Sequence, residues 1–364
     1  MKKVLALLLA ACMVFSFAAC GEKKEEVKEE AKLIELKTSG QNVIQTAVPL
    51  IAGETNKTWE KFNLDVSRTH YVSGPPQLEA NPAGDWSIGW IGATAAITGI
   101  LNYDMQVVGL SGYDNSNMAF VRADSDLAKC AEGPLKGTLG TAADWKGKTI
   151  LVGVGTVCYC DLMLTLNKLG LTENDVTIVN ADISNGYQAF LAGNGDIFYS
   201  SSTYTTELLN NSAYKCCHTI EGMEAGMAGN IIVEKKWLAE NEQVVVDYLT
   251  GALEILLWLN DDANQAQGAK WFTQVMKDEF GTEVSEDAAL ASEKLTGFRG
   301  LEFYEYLCQK QSSGLTGMQE EFGRFFDYHV QMGSREAKDR DTIVAAVDCS
   351  YLAKAIEQYK ALHK

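Results

Sequence analysis

Proline is scarce in this chain, with five in 364 residues. No Pro-, Gly- or Ser-rich stretch divides it, which excludes folded units strung on long flexible linkers. Positive charge is also in short supply: 31 Lys and Arg face 48 Asp and Glu, for a formal net charge of −17. A nucleic-acid footprint needs a basic surface, so nucleic acid is excluded as a partner. Histidines number only four, and no paired C-x-x-C spacing of a zinc site is present. The dinucleotide fingerprint is incomplete as well. After "TILV" the chain reads "GVGTVC", with Gly153 and Gly155 present but Cys158 where a third glycine belongs. What the chain does have is apolar content, 46% of its residues, enough for a large core.

The N-terminus comes first. "MKK" is a basic start, and "VLALLLAACMVFSF" is an apolar run too short and wrongly flanked for a membrane span. It ends in "FAAC" before Gly21. Small residues before a cysteine resemble the lipobox of bacterial lipoproteins. That resemblance implies a signal peptide over 1–19, cleavage before Cys20 and a diacylglyceryl group on its sulfur, two chains being enough for stable attachment to the membrane. Residues 20–32, "CGEKKEEVKEEAK", then read as a charged, solvated tether.

Seven of the nine cysteines lie beyond this region: Cys130, Cys158, Cys160, Cys216, Cys217, Cys308 and Cys349. An odd, scattered set suits free thiols better than a disulfide framework. Cys158 and Cys160, or Cys216 and Cys217 beside His218, are soft-metal ligand types, which keeps a cysteine- or metal-dependent enzyme as an alternative. On a helix, however, residues one or two apart do not face each other, and buried cysteines are common small core residues. No metal and no cofactor is expected.

Strand-like and helix-like runs alternate along the chain. "LIELKTSG" (33–40), "NLDVSRTHYV" (63–72), "DWSIGWI" (85–91), "MQVVGLSG" and "NMAFVRA" read as strands, with helical "NVIQTAVPLIAG" (42–53) and "GATAAITGILN" between them. Next come strand-like "KTILVGV", helical "DLMLTLNKLG", and "DVTIVN", "GYQAFLAG", "DIFYS", "TYTTELLNN" and "AYKCCHTI". After "NIIV" the pattern is helical, over 236–260, 263–279, 299–311 and 317–332, closing with "DCSYLAKAIEQYKAL". This order predicts an α/β fold with helices covering sheet faces and a helical C-terminal region. "AGDWSIGWIGATAA" (83–96) and "AGNGDIFYSSSTYT" (192–205) share a plan: a helix ends in Ala-Gly, an acid opens a strand, and small residues cap the next helix. A Gln-containing stretch precedes each. The echo predicts one copy in each of two lobes.

Four stretches in order, "YVSGPPQLEANPAGDWSIGWIGATAAI", "DWKGKTILVGVGT" with "LTLNKLGL", "GYQAFLAGNGDIFYSSSTYTTELL" and "VDCSYLAKAI", give the chain its likeness. It resembles the substrate-binding proteins of ABC importers for nitrate, sulfonates, taurine and thiamine-type pyrimidines. Pro82 departs from the usual pattern and should cut its helix short. The resemblance implies a two-lobed, periplasmic-binding-protein-like (type II) fold with two crossing hinge segments. Lobe one would take 33–116 and 231–364, and lobe two 117–230. It also implies a monomeric, non-enzymatic protein that hands a small molecule to an ABC permease at the extracytoplasmic face of the membrane. A surface receptor for a protein partner is a further alternative.

Open α/β sheets bind ligands at the carboxyl ends of their strands, where helix N-termini offer free N–H groups. The loops there present Gln45, Thr46, Ser73, Gly74, Trp90, Gly92 and Thr94 in lobe one. In lobe two they present Gly155, Thr156, Cys158, Tyr159, Asn185, Tyr187, Tyr199, Ser200, Ser201 and Thr203, with Glu224 near the second crossing. None is Lys or Arg, and the nearest basic group is His70. Hydroxyls, amides and aromatics favour a small organic nitrogen or sulfur compound over a bare anion. A zwitterion could place its amine near Asp161, Asp182 or Glu224.

Overall fold

The computed structural model describes residues 32–220 and 227–364. The signal peptide, the tether up to residue 31, Cys20 and Glu224 lie outside the described residues, and so does the side chain of Thr203. The strands in chain order are β1 (Ile34–Gln41), β2 (Leu64–Tyr71), β3 (Ile88–Gly92), β4 (Met105–Asp114), β5 (Met118–Arg122), β6 (Thr149–Val152), β7 (Thr177–Asn180), β8 (Ile197–Ser200), β9 (Tyr214–Thr219), β10 (Met227–Glu234) and β11 (Thr296–Gly297).

They form two sheets, ordered β11-β4-β10-β3-β1-β2 and β7-β6-β8-β5-β9. Both follow one plan. β1 pairs in parallel with β2 and β3, and β10 then joins β3 and β4 antiparallel. Likewise β6 pairs in parallel with β7 and β8, and β5 joins β8 and β9 antiparallel. The antiparallel strand beside each parallel trio is the one that has just crossed from the other sheet. The first crossing, between β4 and β5, is residues 115–117. The second runs from β9 to β10 through 220–226. The expected α/β, two-lobed architecture is therefore the observed one.

One large core backs the first sheet, with β1, β3 and β10 packed against the helices Ile44–Thr55 and Glu242–Leu259. Within it Trp90 is fully buried and donates to the Tyr248 hydroxyl at 2.6 Å, and the Trp59 ring stacks on Tyr248 at 4.7 Å. The second sheet carries two smaller cores, one around Trp145, Leu162 and Tyr199 and one around Phe120, Phe190 and Phe198. The helix Val157–Lys168 serves both bodies. Cys158, Leu162 and Leu166, spaced by four, face the second sheet, while Cys160 and Leu164 enter the large core. The two cysteines diverge as helical geometry requires.

Several boundaries differ from the sequence reading. That same helix begins at Val157 and not at 161, because the Thr156 side chain caps it by accepting from Tyr159 N–H. The run expected over 236–260 is two helices, Lys235–Glu240 and Glu242–Leu259. Asn241 breaks it, its side-chain amide donating to the Trp237 carbonyl at 2.8 Å. A helix at Glu286–Leu295, capped by Ser285, was not anticipated. The Gly74–Ala80 helix does end before Pro82, giving way to a short 3₁₀ turn at Asn81–Ala83. The echo holds at the turns, where Gly84 (φ 77°) and Gly193 (φ 89°) both end their helices in the left-handed region. Its glutamines do not correspond. Gln77 is buried and donates to Ser39 Oγ and the Trp90 carbonyl, whereas Gln188 is exposed.

Candidate functional site

The carboxyl ends of all six parallel strands open onto one cavity of about 340 Å³. From the first sheet come Gln41, Asn42 and Gln45 after β1, Ser73, Gly74 and Pro75 after β2, and Gly92 and Ala95 after β3. From the second come the Gly153–Cys158 turn after β6, Asn180 and Asp182 after β7, and Tyr199 and Ser201 at the end of β8. Asp114, the last residue of β4, also lines it.

Local hydrogen bonds hold these walls in shape. Asn180 Oδ1 accepts from Val154 N–H at 2.9 Å, and the Thr156 hydroxyl donates to the Gly153 carbonyl at 2.6 Å. Gly155 adopts φ +80°, and a Cβ there would stand 3.3 Å from Pro75 Cγ. Glycine thus permits both the turn and the close approach of a second-sheet loop to a first-sheet loop. Asp182 caps the helix Ile183–Leu191 through Asn185 N–H. Asn42 reaches across the cleft, its Nδ2 standing 3.5 Å from Ser184 Oγ. Another bridge is Ser202, a non-glycine residue at φ +55°. Its N–H donates to Ser116 Oγ in the first crossing at 2.5 Å, and its hydroxyl accepts from Ile44 N–H at 3.2 Å.

Of the residues singled out from sequence, Gln45, Ser73, Gly74, Gly92, Gly155, Thr156, Cys158, Tyr199 and Ser201 line this cavity. Asp182, named as a possible amine partner, lines it too, and the other residues named from sequence and described here do not. Trp90 belongs to the core. The Thr46 hydroxyl bonds the backbone of Gln41, and Thr94 Oγ1 stands 3.4 Å from His329 Nε2. The Tyr159 hydroxyl donates to Glu173 at 3.3 Å, and the Asn185 amide donates to Asp182. Tyr187 packs on Tyr204 with ring centroids 4.9 Å apart, and Ser200 is a buried strand residue. Each of these side chains is occupied by its own helix, strand or core. Sequence reasoning passed over Gln41, Asn42 and Asp114. Gln41 ends β1 and Asn42 follows it, just before the helix cap, while Asp114 ends β4 beside the crossing in "GYDNSN", a segment with no helix after it.

Cys308 and Cys349 lie side by side away from the cavity, and the Cys308 thiol draws that of Cys349 down. All seven described cysteines are free thiols. Cys158 Sγ donates to Asn117 Oδ1 at 3.2 Å, and burial pushes its thiol up. Asp161, offered above as an amine partner, is fully buried and pairs with His218 at 3.1 Å. The other imidazole nitrogen of His218 bonds Thr138 at 2.7 Å. Among the described residues no group of three or more His, Cys, Asp and Glu is placed to hold a metal ion, and no helix is long and apolar enough to cross a membrane.

A two-sheet α/β body with a cavity where its parallel strands end is the architecture of periplasmic binding proteins. No family model matches the chain. It is 26% identical over 278 residues to a Brachyspira hyodysenteriae protein named as an ABC transporter periplasmic binding protein, covering 75% of this chain and 79% of that one. Its fold matches the alkanesulfonate-binding protein SsuA of Xanthomonas axonopodis pv. citri, solved bound to MOPS, with a TM-score of 0.68 and 17% identity over 87% of this chain and 99% of that one. It also matches the nitrate-binding protein NrtA of Synechocystis PCC 6803, with a TM-score of 0.69 and 13% identity over 90% and 89% of the two chains. The chain is a homologue of the ABC-transporter periplasmic binding proteins.

Proposed function

We propose that this protein is the substrate-binding component of an ABC importer, capturing a small organic nitrogen or sulfur compound and delivering it to the permease. The observation that carries the reading is the shared cavity: its walls come from strand ends of both sheets, so a ligand there gains contacts from both. Such contacts favour a closed state over an open one, and a permease that recognises the closed state reads occupancy. The lobes that close are 33–116 with 231–364, and 117–230. The protein acts as a monomer on the extracytoplasmic face, tethered through lipid on Cys20, and carries out no chemistry on its ligand.

Fold alone does not decide between binding and catalysis. What supports binding is the chemistry at the cavity wall, where Cys158 is a hydrogen-bonded, buried thiol and no imidazole lines the space. The neighbours' ligands, a sulfonate and nitrate, set the size class, and helix N-termini around the cavity keep a small anion as the second reading. Thermal denaturation against sulfonates, taurine, nitrate, pyrimidines and amino acids tests the proposal. A true ligand at a hundred times its Kd stabilises by about 2.7 kcal/mol. Absence of a shift with every small molecule would remove the transport reading.

A further inference from the structure

Among the described residues, the cavity wall carries two carboxylates, Asp114 and Asp182, and no lysine, arginine or histidine. Asp182 is already committed to its helix, one oxygen accepting from Asn185 N–H at 3.0 Å and the other from the Asn185 amide at 2.6 Å. Asp114 is not. It is only 2% exposed, and one oxygen alone is engaged, by the N–H of Ser116 at 2.8 Å and by the Ser116 hydroxyl. Its Oδ2 has no hydrogen bond among the described residues. Burial pushes this carboxyl up against the pull of Ser116, as expected of a charge with no opposite charge beside it.

Asn42 supplies an independent observation. It lines the same cavity, is 1% exposed, and its Oδ1 has no hydrogen-bond partner among the described residues. The cavity therefore has unpaired acceptors and a carboxylate, while its donors are uncharged: the amides of Gln41 and Gln45, the hydroxyls of Ser73 and Ser201 and, at helix starts, backbone N–H groups. Those carry partial charge only, about half a unit per helix. A bare anion would meet the Asp114 carboxylate with no full positive charge to offset it.

Building on the transport reading above, we infer that the ligand carries a protonated nitrogen, an amine or amidine, and that Asp114 receives it. Any acidic end of the same molecule lies against the helix N-termini. The position of Asp114 adds a consequence. Ser116, which donates to Asp114, also accepts from Ser202 N–H, and the Ser202 hydroxyl accepts from Ile44 N–H. A cation on Asp114 thus sits at one end of a hydrogen-bond chain that ties the crossing to helix starts of both sheets.

The test is a thermal-shift panel sorted by charge, run at pH 7 on the wild-type protein and on Asp114→Asn. It contains alkylamines, amidines, amino acids and aminosulfonates, with the matching alkanesulfonates, carboxylates and nitrate lacking the amine. Every stabilising compound is expected to carry a cationic nitrogen. Asp114→Asn keeps the acceptor for Ser116 and is expected to weaken those compounds roughly ten- to a hundredfold in titration calorimetry. If an amine-free anion stabilises the wild type, or Asp114→Asn binds the amine as tightly, the inference fails while the transport reading stands. If no compound shifts the wild type, both fail. The wild-type panel decides even if the variant does not fold.

Discussion

The two sheets share one plan and use it differently. Two residues before the helix cap that follows the third parallel strand, the first sheet places Trp90 and the second Tyr199. Both are buried. Trp90 is anchored in the large core by its bond to Tyr248, whereas Tyr199 packs in a smaller core against His218 and also borders the cavity. After the first parallel strand the contrast repeats. The first sheet offers amides, Gln41, Asn42 and Gln45, while the second offers a thin glycine turn that touches Pro75. The loops that match between the sheets bring one acid, Asp182, already bonded to its own helix, and the second acid, Asp114, comes from the end of β4 beside the crossing. The lesson is that topology sets where the cavity lies and side-chain partners set which wall does what.

The largest effect should come from the Trp90–Tyr199 pair. Trp90→Ala is expected to destabilise the protein by about 3–5 kcal/mol in denaturant unfolding, since it opens a cavity in a packed core. Tyr199→Phe keeps the ring in its core and removes only the hydroxyl, and should change stability by about 1 kcal/mol or less. Equal effects would mean that the Trp90 ring does not fill the large core as described.

A second asymmetry is a buried acid on the helices that cover the first sheet. Glu293 is fully buried on the helix Glu286–Leu295 beside Gly268, and no hydrogen bond of good geometry reaches either oxygen. Burial pushes its carboxyl from 4.5 up to about 9, against a weak pull from Ala269 N–H. The unfolded chain loses this proton near 4.5 and the folded one only near 9. Folding stability contributed by the group is therefore complete below 4.5 and declines as pH rises toward 9, by roughly 3 kcal/mol at pH 7. Glu293→Gln should flatten that decline and overtake the wild type by pH 8, as followed by urea midpoints. Parallel pH profiles for the two proteins would contradict it.

The smallest expected difference lies among the cysteines of the second sheet. Cys217→Ser buries a hydroxyl in an apolar cluster and should cost about 1–3 kcal/mol. Cys158→Ser keeps Asn117 Oδ1 as an acceptor and should cost under about 1 kcal/mol. Thermal midpoints of the two variants separate these outcomes.

Much of the fold was legible because its signals are local. Strand-like apolar runs and the Ala-Gly stops marked the turns, and Thr156 and Ser201 marked helix starts. The site was half legible. The rule that ligands meet strand ends selected Gln45, Ser73, Gly92, Thr156 and Ser201, all on the cavity wall. It failed wherever a side chain on the right loop turns to a partner elsewhere, as Tyr159 does toward Glu173 and Tyr187 toward Tyr204. Those partners are tertiary neighbours, which periodicity does not reveal. Asp114 was missed for a different reason: it stands at a chain crossing, where no capping or alternation pattern marks it.

The central claim is that one cavity, built from the strand ends of both sheets, is the ligand site. Gly92 tests it directly, because its backbone lies in ordinary extended space and an added Cβ would meet Val157 Cγ1 at 3.5 Å and Gln41 Oε1 at 3.8 Å, both on the cavity wall. Gly92→Leu should fill the space and leave the fold intact. Titration calorimetry of the strongest stabilising compound against wild type and Gly92→Leu is the decisive measurement. The account predicts saturable one-to-one binding to the wild type and none to a folded Gly92→Leu. Unchanged affinity in Gly92→Leu would contradict it.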